Sequence, residues 1–280
     1  LLSEIFYFNP NLDTYNFLVL IDGEPVGARN LTRHPCNSDF VFSHGASVKK
    51  SFRKRGAYKS LVVETAKFMQ SIGVSVVRED GDIRITPPEK YDFSNPNIES
   101  AQRTRSVAMF IAPLAHRVGS FDLPAPSGCD LGKRSLGAHI DSLAKLGITI
   151  EGDKKAHTYH VETKDSRPAE IVMYEASDTG TENVLMASSL IPGITTIKFA
   201  AANYQVQDLC IFLTQCGVKI EGIGTSTLVV HGVQDIHADI TGHPSEDPIE
   251  SMFFISLAAT THCKLSVERC PIDFLELELA

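Results

Sequence analysis

The sequence predicts an α/β protein with internal pseudo-threefold symmetry, because one short pattern recurs three times with a glycine at the same point. Each copy is an amphipathic helix that ends in an apolar residue and Gly, followed by a strand of alternating apolar residues. The glycines are Gly73, Gly147 and Gly217, so the interval between copies is nearly constant. Glycine just past a helix adopts the left-handed conformation without a Cβ clash. The matched glycines favour a repeat over coincidental alternation of strands and helices.

The remaining elements extend each copy into a longer unit. A second strand follows each copy, and a further helix and strand precede the second and third copies. Each full unit therefore reads helix, strand, loop, helix, strand, strand, which is too long for a solenoid repeat. We expect later strands at 82–85, 158–161 and 227–230, preceding helices at 105–116 and 181–190, and the strands that follow these helices at 120–123 and 195–199.

Residues 1–56 do not share this pattern. Residues 18–27 predict two strands around an Asp-Gly turn, and residues 40–48 predict another strand. This segment is interpreted as separate material joined to the repeats.

Composition restricts the classes of function. The chain has 280 residues, of which 43% are apolar and 21% charged, and a net charge of −8. These values are typical of a globular protein and argue against nucleic acid or a membrane as a partner. The six cysteines include no C-x-x-C pair, so neither a disulfide framework nor a metal site is expected, and no cofactor is predicted. We expect a cytoplasmic location. Both ends are interpreted as cut.

The loop 123–134 carries the clearest chemical signal. Cys129 lies between Gly128 and Gly132, and Lys133 and Arg134 follow at once. A thiol near two cations, at the start of a helix, is expected to have a lowered pKa. Arg103 and Arg105 begin the helix before it, where cations are unfavourable unless an anion binds nearby. The alternative is a plain loop cysteine. We favour a site for a phosphorylated or carboxylated substrate.

Several motifs together resemble the UDP-N-acetylglucosamine 1-carboxyvinyltransferases, a family of enolpyruvyl transferases. They are Arg105 followed by Gly-Cys-Asp-Leu-Gly-Lys-Arg at 128–134, Thr-Gly-Thr-Glu-Asn at 179–183, Gly-Ile-Gly-Thr at 222–225, and Asp-Pro-Ile-Glu at 247–250. The resemblance runs from about 57 to 280. It implies an inside-out α/β barrel of repeated βαβαββ units, with domains at 57–243 and, as a truncated start, at 244–280.

The resemblance also implies a reaction: enolpyruvyl passes from phosphoenolpyruvate to the 3′-hydroxyl of UDP-N-acetylglucosamine, with release of phosphate, in peptidoglycan precursor synthesis. Carried over by position, Cys129 is the general acid, and Arg105 and Arg134 hold the phosphate and carboxylate of phosphoenolpyruvate. Asp178, Thr179 and Gly180 receive the nucleotide diphosphate at a helix start. Arg103 and Asp247 complete the predicted substrate-binding set. The helix start at 179–186 is equally a capped core helix, and both interpretations hold together.

Some family features are absent. An Asp that commonly contacts uracil is replaced by Gly137, and the Ser-x-Lys-Asn segment has no convincing counterpart. The second domain is represented only by its first unit. Because such catalysis needs both domains closed on the substrate, the fragment is predicted to be inactive.

The basic run that precedes residue 57 leaves two alternatives open. Residues 51–57 resemble the pyrophosphate loop of GNAT-type acetyltransferases, which bind acetyl-CoA, although a basic solvated loop explains them equally well. The alternative functions are therefore an acetyl-CoA-dependent N-acetyltransferase fused to a transferase remnant, and a non-catalytic protein that binds a nucleotide sugar.

Overall fold

A computed structural model describes most of the chain. The described residues are 2–9, 14–21, 24–33, 40–41, 46–48, 57–79, 82–103, 105–125, 136–153, 155–262 and 264–279. Only the backbone is described up to residue 62 and at 79, 82, 105 and 277. The chain divides into two compact units, one of Leu61–His243 and one of Leu1–Ser60 with Pro244–Ala280. The assignment of 244–280 as the start of a second transferase domain remains a prediction.

The smaller unit contains an antiparallel sheet and a helical segment. The strand pair predicted at 18–27 is present as β2 (Thr14–Ile21) and β3 (Glu24–Arg33), whereas the prediction of a single strand at 40–48 is wrong. Two short strands replace it, and both pair with β3. The elements are β1 (Leu2–Asn9), β2 (Thr14–Ile21), β3 (Glu24–Arg33), β4 (Phe40–Val41) and β5 (Ala46–Val48), with α7 (Pro248–Thr261), a 3-10 turn (Ile272–Phe274) and α8 (Glu276–Leu279).

The first repeat of the larger unit consists of α1 (Ala57–Ser71), β6 (Ser75–Glu79) and β7 (Asp82–Thr86), and α2 (Ile98–Gln102) follows it. Asn97 caps α2 by accepting a hydrogen bond from the Ser100 N–H. The five residues of α2 are too few for helical periodicity, which explains why the sequence did not predict this helix.

The second repeat begins with a 3-10 helix (Arg105–Phe110) that leads directly into α3 (Ile111–Val118). The sequence predicted a single helix over 105–116. Pro113 has no N–H and is tolerated only in the first turn of an α-helix, so α-helical geometry starts at Ile111. The repeat continues with β8 (Ser120–Pro124), α4 (Gly137–Lys145), β9 (Ile148–Asp153) and β10 (Thr158–Thr163).

The third repeat has the same order, and a short strand precedes it. The predicted helix 181–190 begins three residues earlier than expected, because Ser177 rather than a later residue is its N-cap. The strand β11 (Glu170–Val172) was not predicted; it is three residues long and pairs in parallel with β12 (Gly193–Lys198). The elements are β11 (Glu170–Val172), α5 (Asp178–Ser189), β12 (Gly193–Lys198), α6 (Tyr204–Gln215), β13 (Lys219–Glu221) and β14 (Thr227–Gly232).

The three repeat glycines have the predicted conformation. Their φ values are +95° at Gly73, +86° at Gly147 and +96° at Gly217. After α6, the Gly217 N–H donates to the Thr214 carbonyl and the Val218 N–H donates to the Leu213 carbonyl. This is the Schellman pattern, which satisfies the last carbonyls of the helix.

The helices form the interior and the sheets face outward. Helix α5 is buried on most of its surface, from Gly180 to Ser189, whereas β9 buries only alternate residues. The sheets have the orders β8-β10-β9, β11-β12-β14-β13 and β6-β7. The predicted inside-out α/β class with repeated units is therefore confirmed.

Candidate functional site

The N-terminus of α5 holds three of the predicted substrate-binding residues. The Ser177 hydroxyl accepts the Gly180 N–H at 3.2 Å, and the Thr181 N–H donates to the Ser177 carbonyl. The helix itself supplies no partner for the N–H groups of Asp178 and Thr179, which lie in its first turn. These two groups and the positive end of the helix dipole suit an anion.

Gly180 has a packing role at this helix start. A Cβ there would lie 3.1 Å from the Cβ of Ala138 on α4 and 3.0 Å from the Ser177 hydroxyl. The residue therefore permits the close approach of α4 and α5. Asp178 is exposed and its carboxylate complements the helix dipole, but it opposes a bound diphosphate.

A buried polar network lies on the interior side of the helix start. We call it the His139–Asn183 network. The Asn183 side-chain amide donates to the Ala108 carbonyl at 2.9 Å, and its oxygen accepts the Ala112 N–H at 3.3 Å. These two backbone groups fix the orientation of the amide. The same Nδ2 lies 2.8 Å from His139 Nδ1, which must therefore accept, so the proton lies on His139 Nε2.

The network reaches the predicted diphosphate position through Thr179. His139 Nε2 lies 3.3 Å from the Thr179 hydroxyl, so the imidazole donates to this oxygen. His139 and Asn183 are buried to 99% or more. The network joins α3, α4 and α5 at one point and sets the rotamer of Thr179. Sequence reasoning missed it, because the residues are far apart in the chain and follow no motif spacing.

The prediction that Arg103 begins a helix is wrong: Arg103 is the C-cap of α2, where a cation complements the helix dipole and requires no bound anion. It is engaged in ion pairs within the protein. Its guanidinium bonds to the Glu99 carboxylate and lies 3.8 Å from Glu64. The hydroxyl of Ser100 and the ammonium of Lys67 bond to Glu64 and lower the pKa of its carboxyl. Arg103 thus has a structural role at the contact of α1 with α2, and its substrate contact stays a prediction.

The other predicted residues are described in part or lie outside the description. Cys129, Arg134 and residues 49–56 are not among the described residues, and only the backbone of Arg105 is described, at the start of the 3-10 helix. Asp247 belongs to the smaller unit, where its carboxylate caps α7 by accepting the N–H groups of Ile249 and Glu250. Among the described part of the chain, no cluster of three or more His, Cys, Asp or Glu residues could hold a metal ion.

An apolar pocket of about 580 Å³ lies beside α5 in the larger unit. The residues that line it include Met69, Ile85, Leu114, Glu182, Met186 and Leu209. Burial and, to a lesser extent, repulsion by Asp178 raise the pKa of the Glu182 carboxyl to about 6. The pocket was not predicted, because the apolar residues that form it are ordinary core residues in the sequence.

Glu182→Gln should stabilise the protein at neutral pH. The folded state binds the Glu182 proton more tightly than the unfolded state, so stability falls as pH rises from about 4.5 to about 6. Removal of the charge should raise the free energy of unfolding by about 1 kcal/mol at pH 7, because solvent screens a half-buried carboxylate, and by almost nothing at pH 4. Urea denaturation at both pH values measures this. The exposed Glu151→Gln is the control; equal effects of the two changes would contradict the prediction.

Buried helices and outward sheets in repeated units define the larger unit as an inside-out α/β protein. The EPSP synthase (3-phosphoshikimate 1-carboxyvinyltransferase) family profile matches residues 61–279. The chain belongs to this family. In the part of the chain that the structure describes, no helix has the length and apolar character that a membrane span requires.

Curated relatives agree with this assignment, and a solved structure shares the fold. A UDP-N-acetylglucosamine 1-carboxyvinyltransferase of Bacteroides thetaiotaomicron is 31% identical over 214 residues, which cover 75% of this chain and 49% of the relative. A protein of the same name from Treponema denticola is 36% identical, covering 69% and 44%. The enolpyruvyl transferase NikO of Streptomyces tendae has a TM-score of 0.56 at 18% identity, covering 69% of this chain and 45% of NikO. The chain spans about half the length of the curated relatives it matches.

Proposed function

We propose that the chain is part of an enolpyruvyl transferase that acts on UDP-N-acetylglucosamine in the cytoplasm, in the synthesis of peptidoglycan precursors. The observation that carries the proposal is the identity of 31% to 36% with relatives of that name, over a segment that includes both the Cys129 loop and the start of α5. The N–H groups at that helix start supply the expected anion site.

In the proposed reaction, Cys129 donates a proton to the methylene carbon of phosphoenolpyruvate. This makes the neighbouring carbon electrophilic, and the sugar 3′-hydroxyl adds to it and loses its proton. Loss of phosphate and of one methyl proton then restores the double bond. Arg105 and Arg134 balance the charge of the phosphate and carboxylate throughout. Asp178, Thr179 and Gly180 form the helix start that receives the diphosphate, with the N–H groups of Asp178 and Thr179 as its donors. Arg103 and Asp247 are proposed substrate contacts. No cofactor takes part in these steps.

Labelling of Cys129 by the phosphonate epoxide fosfomycin tests the thiol. We expect one adduct by intact mass, mapped to Cys129, because nearby cations favour the thiolate and attract the phosphonate. Cys210, Cys216 and Cys270 serve as internal controls. Burial raises the pKa of the Cys210 thiol to about 12, and Cys216 and Cys270 are half-buried. An unmodified mass, or equal labelling of Cys216 or Cys270, would refute the role of Cys129.

Thermal unfolding with each ligand added separately tests the substrate class. A ligand at 100 times its Kd stabilises the folded state by about 2.7 kcal/mol, so UDP-N-acetylglucosamine should raise Tm. A response to acetyl-CoA alone would instead favour the acetyltransferase. A response to the nucleotide sugar without labelling of Cys129 would favour a non-catalytic binding protein.

A further inference from the structure

Asn183 inserts its side-chain amide into the backbone hydrogen bonds at the point where the 3-10 helix passes into α3. In a regular α-helix the Ala112 N–H would donate to the Ala108 carbonyl, four residues earlier. Here the Ala112 N–H donates to the Asn183 oxygen, and the Asn183 amide donates to the Ala108 carbonyl. Because one backbone partner can only donate and the other can only accept, the amide has a single possible orientation.

The protons of the His139–Asn183 network can therefore be assigned one by one. One Asn183 N–H bonds to the Ala108 carbonyl, and the other points to His139 Nδ1 at 2.8 Å. His139 donates its own ring proton, on Nε2, to the Thr179 hydroxyl oxygen at 3.3 Å. A hydroxyl has one proton of its own. The Thr179 proton therefore points away from His139.

Thr181, two residues further along α5, has a hydroxyl with a purely structural role. It donates to the Ser177 carbonyl at 2.8 Å and accepts the Ala201 N–H at 3.1 Å. A bond to the carbonyl four residues earlier is common for threonine in a helix. The Thr179 hydroxyl differs, because among the described residues it has no hydrogen-bond partner besides His139. Its proton is therefore available to a ligand.

The Thr179 hydroxyl belongs to the same first turn as the N–H groups of Asp178 and Thr179, which the helix leaves without a partner. Thr179 is half-buried, so a ligand can reach it. The hydroxyl proton and the two N–H groups all donate. Together they suit an ionised phosphate oxygen, which can only accept.

We propose that His139 and Asn183 are positioning residues for the anion, because they hold the Thr179 hydroxyl as a third donor at the start of α5. That the anion is the diphosphate of a nucleotide sugar rests on the proposed function. His139 is 1% exposed, so it acts through Thr179 and not by contact with the ligand. Asn183 selects the required tautomer from the other side of the imidazole ring.

NMR of the full chain with isotope-labelled histidine tests the tautomer without any ligand. We expect the His139 ring, identified by the loss of its signals in His139→Phe, to carry its proton on Nε2 and none on Nδ1. A neutral ring with its proton on Nδ1 would overturn the proposal, because Nε2 would then accept the Thr179 proton.

Calorimetric titration with pyrophosphate and, separately, with UDP-N-acetylglucosamine tests the hydroxyl. Thr179→Val keeps the shape of the side chain and should weaken both ligands by about tenfold, the expected loss of a hydrogen bond to a charged group. Thr179→Ser keeps the hydroxyl and should bind almost as tightly as the wild-type chain. The matched control is Thr181→Val, which removes a structural hydroxyl from the same helix and should lower Tm without weakening either ligand.

A double-mutant cycle separates positioning by His139 from a general structural role. Thr179→Val should weaken pyrophosphate by about tenfold in the wild-type chain but by only about threefold or less in the His139→Phe chain, because the hydroxyl is no longer held there. The same loss in both chains would overturn the positioning role.

The outcomes distinguish this inference from the proposed function. Binding of UDP-N-acetylglucosamine that Thr179→Val leaves unchanged overturns the inference and keeps the nucleotide sugar as the substrate. Binding of pyrophosphate alone, weakened by Thr179→Val, supports the inference and refutes UDP-N-acetylglucosamine as the acceptor. Binding of neither ligand overturns the inference, whereas labelling of Cys129 still tests the proposed reaction. Far-UV circular dichroism and Tm verify that each variant is folded.

Discussion

Asn183→Leu should lower the free energy of unfolding by roughly 3–5 kcal/mol, because it leaves several buried polar groups without a partner. The Asn183 amide bonds to the Ala108 carbonyl, the Ala112 N–H and His139 Nδ1. Leucine has a similar volume, so little of the loss would come from a cavity. Urea denaturation followed by circular dichroism measures this loss as a lower unfolding midpoint. The m-value, which is the dependence of the free energy of unfolding on urea concentration, should stay unchanged.

The control for this change is Asn203→Ala. The Asn203 side chain accepts one hydrogen bond, from the Val206 N–H, as the N-cap of α6, so its loss should cost only about 1 kcal/mol. Equal effects at the two positions would mean that the His139–Asn183 network contributes no more than one cap. Asn183→Leu should also weaken any stabilisation by UDP-N-acetylglucosamine, because the network positions Thr179.

Gly147→Ala should destabilise the protein much more than Gly217→Ala, although the two glycines occupy the same point of the repeat. Both have positive φ values, +86° and +96°, and a non-glycine residue there costs roughly 1–2 kcal/mol. At Gly147 a Cβ would also lie within 3.0 Å of the carbonyl oxygens of Lys164 and Asp165. The cost there should therefore reach about 3 kcal/mol or more.

Gly217 supplies the comparison because a Cβ there would meet nothing within 4 Å. The crowding at Gly147 has a clear origin: the Lys164 N–H donates to the Gly147 carbonyl, which holds the loop after β10 against the end of α4. Denaturation midpoints of the two alanine variants measure the difference. Equal midpoints would show that the positive φ alone determines the loss of stability, and that the loop after β10 moves away from the new Cβ without measurable loss.

The sequence was sufficient to predict the repeated units and the ends of their helices. The glycine after each helix has no Cβ and so marks a left-handed residue directly, and apolar alternation marks the paired strands. Elements of three to five residues, such as α2 and β11, escaped prediction because they contain too few periods for a hydrophobic pattern to be recognised. Pro113 indicated that α-helical geometry starts at Ile111. The helical pattern on both sides of Ile111 nevertheless predicted one continuous helix.

The candidate site was predictable only where residues are adjacent in the chain. The family resemblance placed the run Asp178-Thr179-Gly180 at a helix start, because its motif is contiguous in the chain. The contact of His139 with Asn183 depends on how α4 packs on α5, and the pairing of Arg103 with Glu64 depends on how α2 meets α1. Such contacts follow from tertiary packing, which local patterns do not encode.

Because the sheets lie on the outside of the larger unit, the contacts within a repeat differ in kind from the contacts between repeats. The strands β8, β9 and β10 form backbone hydrogen bonds with one another, within a single repeat. The strands β12, β13 and β14 do the same within the next repeat. Attachment between one repeat and the next runs instead through side chains of helices such as α5. A lineage of such proteins could therefore lose, exchange or regain one inner helix as a module, since no hydrogen-bonded ladder of the other repeats would have to be rebuilt.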